Sequence, residues 1–304
     1  MSVPTSPPVG SSRVRPRSTP RRIDGYPAMV ADSDAVAAAP DTTTEEYFRD
    51  QVDANARITR DYVEPVARRT QSRAILDVGC GVGRSVASLL EDGYDAYGVD
   101  LPGLTRFWSL LDCPRDRFLV VDPDDFILPF DDDAFDLAFS FGVLEHVGTS
   151  DGHATRRPDY HAWRRRWLRE IFRAVRPGGH LLMGGPNRSF PLDFSHGLDS
   201  RAGWVERWLS QAAGKSIHRT WGEYFLWGYP DFDCYLASLP FEIEALSIRG
   251  LLQYGRVPAP LRPLARFYVD HLPRRLLDTG FNPWVMALIK KTAAPPAPGP
   301  GSVP

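Results

Sequence analysis

Cysteine is scarce in this chain. Cys80, Cys113 and Cys234 lie far apart and form no Cys-x-x-Cys pair. They offer neither a zinc cluster nor a disulfide framework, and they fit a reducing, cytoplasmic compartment. Lysine is as rare: Lys215, Lys290 and Lys291 leave nearly all the positive charge to arginine. The formal net charge of −2 lacks the basic excess of nucleic-acid binders, so no nucleic-acid partner is expected. No apolar run approaches the roughly 18 residues needed to cross a bilayer, so no integral membrane segment is expected. The N-terminus has no apolar core of the kind that marks a secretory signal.

What is present is one long folded stretch between two tails. Residues 1–42 are rich in Pro, Arg and Ser and read as a disordered tail. Their first 22 residues hold five arginines and no acid, which resembles a transit peptide, but five prolines oppose the helix such a peptide forms. A Pro-rich tail, 293–304, is expected at the other end. The intervening 43–292 show no repeat and no long linker. With 43% hydrophobic residues the chain can bury a substantial core.

Within that stretch, "TTTEEYFRDQVDANARITRDYVEPVARR" reads as a helix, with Thr44 as cap and Glu45 and Glu46 in the first turn. Short apolar runs then alternate with helical patterns. "RAILDV", "YDAYGVD", "RFLVV", "FDLAFSF", "HLLMGG", "FEIEALSI" and "PWVMALIKK" read as seven strands. A helix with Trp163, Trp167, Leu168, Ile171, Phe172 and Val175 on one face, and arginines on the other, ends at "RPGG". This alternation implies an α/β protein whose mostly parallel sheet is covered on both faces.

The stretch "AILDVGCGVGRSVASLL" carries the chemistry. Asp77 closes the first strand, and Gly79, Gly81 and Gly83 follow before the helix starts. Glycines let the backbone turn sharply and let a ligand lie against it, although they also serve turns with no ligand. A dinucleotide fingerprint would need Gly or Ala where Arg84 stands. A P-loop would need a longer spacer and a Gly-Lys pair. An acid two residues before the first glycine would repel a pyrophosphate but suit an ammonium group. Asp100, at the end of the second strand, can accept hydrogen bonds from ribose hydroxyls. The ligand so described is a cationic nucleoside without phosphate.

Four stretches, "LDVGCGVGR", "YGVD", "LPFDDDAFDLAFSFGVLEHV" and "LREIFRAVRPGGHLLMGGPNR", resemble the class I S-adenosylmethionine-dependent methyltransferases. "VLEHV" resembles the ubiquinone-biosynthesis and small-molecule branch. The resemblance implies a Rossmann-like methyltransferase fold, a single seven-stranded sheet whose last strand is antiparallel. It implies S-adenosyl-L-methionine as cofactor, held by Asp77, Gly79, Cys80, Gly81 and Gly83. Asp100 would take the ribose, Leu101 would pack on adenine, and Phe141 would lie near the sulfonium. An acid beyond the third strand would approach the adenine amino group; Asp122, Asp124 and Asp125 are available, and counting from either side gives Asp122 or Asp124. Some relatives bind a metal through Glu-x-x-Glu-His. Here Gly142 replaces the first glutamate and leaves Glu145 and His146, a thin set for magnesium, so no metal site is expected.

A hydroxyl acceptor must lose a proton, and histidine titrates in the right range. His146 follows the fourth strand and His196 the fifth, both at the carboxyl edge where open sheets bind ligands. Asp193 could orient His196. Alternatively, His146 packs at a helix start, and Asn187, Asp193 and His196 only organise a loop. An aromatic-rich insertion, about 186–240, holds Trp204, Trp208, Trp221, Tyr224, Phe225, Trp227, Tyr229, Phe232 and Tyr235. The resemblance implies an acceptor pocket built from it and from the first helix, although such residues also serve core packing. A second insertion, about 251–282, interleaves arginine with Leu, Phe and Tyr. That reads either as a soluble charged helix or as peripheral contact with an anionic membrane.

The expectation is a methyltransferase acting on a small, partly apolar acceptor, at a hydroxyl of a phenol, quinone, sugar or lipid. Carbon or nitrogen methylation, and a non-catalytic cofactor-binding scaffold, are the alternatives. The oligomeric state is not legible in the sequence.

Overall fold

The apolar runs become strands because alternate residues meet different layers of core. In β1 (Ala74–Val78), Ile75 packs with Val86 and Leu89, while Leu76 packs on the other face with Leu168 and Phe172. β2 (Asp95–Asp100), β3 (Phe118–Val120), β4 (Phe135–Phe141) and β5 (Val175–Pro186) lie parallel to it. A short pair, β6 (Leu192–Asp193) and β7 (His218–Arg219), forms a separate ribbon. β8 (Phe241–Ala245) and β9 (Trp284–Lys291) complete the main sheet, whose order is β3-β2-β1-β4-β5-β9-β8. Only β9 runs against its neighbours. This is the expected seven-stranded α/β sheet with its last strand antiparallel.

The computed structural model describes Val14 and residues 42–122, 125–149, 156–193, 203–213, 218–220, 226–252, 254 and 257–293. Asp124, His153, His196, Trp221, Tyr224 and Phe225, with nearly all of both expected tails, lie outside the described residues. Val14 lies within the 1–42 stretch. It is buried, and its carbonyl accepts a hydrogen bond from Tyr97 Oη at 3.0 Å.

The first helix, α1 (Thr42–Ile58), begins two residues before the expected Thr44 cap. It passes through a π turn at Thr59–Val63 into α2 (Glu64–Arg69). Pro65 explains the widened turn, because its ring has no N–H and collides with the carbonyl one turn earlier. α3 (Arg84–Glu91) follows the glycine loop. α4 (Tyr160–Ala174) buries Trp167, Leu168, Ile171 and Phe172 on the sheet. α5 (Trp204–Ala213) and α6 (Tyr229–Tyr235) belong to the first insertion, α7 (Arg262–Asp270) to the second. One reading of α4 is corrected: Arg164 does not join the other arginines in solvent but is 1% exposed.

Sheet order positions the site. The chain leaves β1 towards β2 and β3 on one side, then restarts at β4 on the other. At that reversal the loops leaving β1 and β4 diverge, and a crevice opens at the strands' carboxyl ends. Two glycines of the first loop serve it differently. A Cβ on Gly79, at φ +85°, would stand 2.3 Å from Val143 Cγ2 in the loop after β4. A Cβ on Gly81, at φ +55°, would meet only Asn55 Nδ2, at 4.0 Å. Gly79 therefore lets the two loops touch, while Gly81 keeps a surface bare. Gly79→Ala should cost about 2–4 kcal/mol, combining steric overlap with left-handed strain. Gly81→Ala should cost only about 1–2 kcal/mol of strain. Thermal denaturation of the two variants checks the difference, and equal losses would remove the distinction.

Candidate active site

The carboxyl ends of β1, β2 and β4 enclose a cavity of about 490 Å³, within the usual range for small-ligand sites. Gly79 and Gly81 line it from the first loop, Asp100 and Leu101 from the end of β2. Phe141, Gly142, Val143 and His146 line it from β4 and its loop. Six of the residues expected from sequence, Gly79, Gly81, Asp100, Leu101, Phe141 and His146, thus share one cavity. Sequence reasoning missed Gln51 and Asn55 on α1, and Val121, Phe126 and Leu128 beyond β3. Trp167 and Ile171 of α4 also line it. Their only signal was membership of an apolar face, which does not separate core from cavity.

Asp100 braces the glycine loop. Its Oδ2 accepts from the Gly81 N–H at 2.5 Å and its Oδ1 from the Leu101 N–H at 2.6 Å. Burial raises its pKa above the ordinary carboxylate value, and these two bonds oppose the rise. Trp108 Nε1 donates to the Gly81 carbonyl at 2.9 Å from the other side. Asp77 lies behind the loop, 5% exposed, with no hydrogen-bond donor among the described residues. Burial pushes its carboxyl well above the usual range, and the nearby Asp100 carboxylate adds to the rise.

The remaining expected residues fall elsewhere. Cys80 turns its thiol into the core, close enough to Gly98 that a Cβ there would lie 2.9 Å from Cys80 Sγ. Gly83 packs against Phe118. Asp122 does not line the cavity; its backbone carbonyl accepts from the Phe126 N–H at 2.9 Å. Asp125 Oδ1 caps the Ile127 N–H at 3.0 Å. Asp193 is buried in β6, with His218 opposite it in the ribbon.

The loop carrying His146 is held from beneath. Buried Arg164 donates through Nη2 to the Glu145 carbonyl at 2.8 Å and through Nε to the Val147 carbonyl at 3.2 Å. These carbonyls flank His146, so the guanidinium fixes the backbone on both sides of the imidazole. Thr149 Oγ1 donates to the His146 carbonyl at 2.6 Å. Glu145 is itself buried, and its Oε2 accepts from Trp227 Nε1 at 3.1 Å.

The described aromatic residues of the insertion take up other positions. Trp227, Phe232 and Tyr235 are buried in the core beside α4, and Tyr229 Oη donates to the Met286 carbonyl at 3.0 Å. None of its described aromatic residues lines the cavity. Asn187 organises the loop after β5, donating through Nδ2 to the carbonyls of Thr279 and Asn282. The aromatic walls are Phe126, Phe141 and Trp167 instead.

These features fit S-adenosylmethionine. Asp77, outside the cavity lining, is a buried carboxyl that a nearby positive charge would favour in its ionised form, while Asp100 lines the cavity with lone pairs for hydroxyls and Gly81 presents bare backbone. A cationic ligand would oppose the effect of burial, which with the Asp100 carboxylate holds the Asp77 carboxyl above the ordinary range. Binding should therefore release protons, and affinity should rise with pH between the ordinary carboxylate value and the raised one. For the free protein the sign is opposite: the contribution of Asp77 to stability is complete below its unfolded pKa and declines as pH rises towards the folded one. Calorimetry of S-adenosylhomocysteine binding at mildly acidic pH, in buffers of different ionisation enthalpy, checks the release. Asp77→Asn should abolish the buffer dependence; an unchanged dependence would place the proton elsewhere.

Comparison with known proteins is consistent with this geometry. Residues 76–183 match the family described as methyltransferase domain. The mouse protein named "Probable tRNA methyltransferase 9B" is 28% identical over 156 residues, covering 49% of this chain and 30% of that one. The chain thus spans less than a third of that relative's length. Among solved structures, an S-adenosylmethionine-dependent methyltransferase from Mesorhizobium loti aligns at 19% identity and TM-score 0.41, covering 74% of this chain and 95% of that one. The phosphoethanolamine N-methyltransferase 2 of Haemonchus contortus aligns at 17% and 0.39, covering 73% and 49%. The match to the methyltransferase domain family spans the glycine loop, Asp100, the His146 loop and α4.

Proposed function

We propose that the chain methylates a small, partly apolar acceptor at a hydroxyl oxygen. One observation carries this reading: His146 borders the same cavity as Asp100 and Gly81, whose lining also includes the apolar Phe141 and Trp167. When bound, S-adenosylmethionine supplies a methyl group activated by its positive sulfur, which leaves alignment, desolvation and proton removal to the protein. Asp77 and Asp100 hold the cationic nucleoside in this reading. Phe126, Phe141 and Trp167 exclude water and offer flat surfaces to the acceptor. His146 takes the hydroxyl proton on its imidazole as the acceptor oxygen becomes the nucleophile. Arg164, through the Glu145 and Val147 carbonyls, keeps that imidazole in place. His196, with Asp193 three residues earlier, is the second candidate base.

The name of the mouse relative favours a second reading, a tRNA acceptor. Against it stand the net charge of −2 and a cavity of about 490 Å³, the size of a small ligand.

Turnover with a panel of phenols, quinones, sugars, lipids and tRNA tests both readings. Methylation of tRNA alone would overturn the small-acceptor reading. Asp100→Ala should weaken S-adenosylhomocysteine binding at least about tenfold, since a charged acceptor is lost; unchanged affinity would remove Asp100 from the site. His146→Ala should leave that affinity intact and lower turnover by about 10²–10⁴-fold. Full rate in both His146→Ala and His196→Ala would eliminate base catalysis by either.

A further inference from the structure

The second insertion presents a surface that nothing in the protein covers among the described residues. In α7 only Val269 is buried. Leu264 is 66% exposed, Phe267 61%, and Leu261 and Tyr268 are exposed beside them. At 100° per residue these four side chains fall within about a 120° arc, one continuous apolar stripe. Phe281, 58% exposed, is joined to it, because Tyr268 Oη donates to the Phe281 carbonyl at 2.5 Å. A soluble helix would place polar residues on that arc.

The flanks are cationic. Residues 251–282 hold five arginines against two acids, in a chain whose net charge is −2. Arg262, Arg266, Arg274 and Arg275 are exposed. Arg266, Arg274 and Arg275 form no ion pair with a described residue, and Arg266 instead lies over the Tyr254 ring at 5.9 Å. Elsewhere arginines sit on carboxylates, as Arg69 on Glu244, Arg117 on Asp95, Arg173 on Glu170 and Arg176 on Asp136. Apolar side chains on a convex helix, flanked by unpaired guanidinium groups, complement a plane with an anionic surface and an apolar interior.

We propose that α7 and the flanking 271–281 segment dock this protein on an anionic lipid bilayer. Leu261, Leu264, Phe267 and Phe281 enter the headgroup–acyl boundary, and the arginines meet lipid phosphates. A second copy of the chain fits less well, since a self-complementary contact would bring the same cationic flanks together. The surface is tied to the cavity wall. Arg57 Nη1 donates to the Leu251 carbonyl at 2.7 Å, and Arg57 lies on α1, which lends Gln51 and Asn55 to the cavity.

Co-sedimentation of the full chain with vesicles tests this. Binding to phosphatidylcholine vesicles containing phosphatidylglycerol should exceed binding to pure phosphatidylcholine at least about tenfold and fall as salt rises. Leu264→Ser with Phe267→Ser should abolish it, as should Arg274→Gln with Arg275→Gln. Both pairs should keep the wild-type affinity for S-adenosylhomocysteine, which shows that they fold. Equal binding to the two vesicle types, wild-type binding by either pair, or a dimer in sedimentation that the apolar pair dissolves would overturn the proposal. The vesicle assay involves no methyl transfer, so its result is independent of the acceptor reading.

Discussion

Two carboxyl groups are kept out of bulk water where adjacent parallel strands end, and much of the site follows from how each is treated. Asp100 receives two backbone N–H groups, from Gly81 and Leu101, which offset its burial. Asp77 receives none among the described residues and holds its proton well above the usual range. Burying an unpartnered ionised carboxylate is costly, and a nearby cation would offset that cost. The Asp100–Gly81 bond also shapes the loop, since it turns the backbone of Gly81 towards the cavity.

The opposite wall depends on a buried cation. Arg164 leaves the solvated face of α4 to bind two carbonyls in the loop after β4. Bonds from a guanidinium to neutral carbonyls are charge-assisted, and removing the charge would leave both acceptors unsatisfied. Trp227 reaches the same loop through Glu145. The aromatic insertion thus acts on the site from behind, by fixing the backbone that presents His146. Gly79 completes the frame, because any side chain there would separate the two loops that bound the crevice.

Strand identities were legible because apolar runs of four to eight residues between turn signals have few other solutions. "FDLAFSF" coincides with β4, and "YGVD" ends β2 where expected. The helix before "RPGG" was legible for the same reason. Its Arg164 was not, since a buried arginine and a solvated one look alike in a periodic pattern. Glycine spacing announced a close backbone approach without saying to what: Gly79 approaches Val143, Gly83 approaches Phe118, and Gly81 alone faces open space. The aromatic residues of the first insertion left two readings open, because size and greasiness suit a core as well as a pocket, and Trp227, Phe232 and Tyr235 lie in the core.

What the sequence by itself determined was local: which segments are strands, where the turns lie, and which polar residues end strands. Those properties depend on neighbours a few positions away, through side-chain period and backbone freedom. Only the tertiary structure decided which of those residues share a cavity, because β1 and β4 become neighbours by sheet order, across 56 intervening residues. It also decided which acids burial holds above the ordinary carboxylate range, which arginine is buried, and that α7 shows its apolar face to the outside. Each of these depends on what stands opposite a side chain in space, and that is set by packing across the sheet.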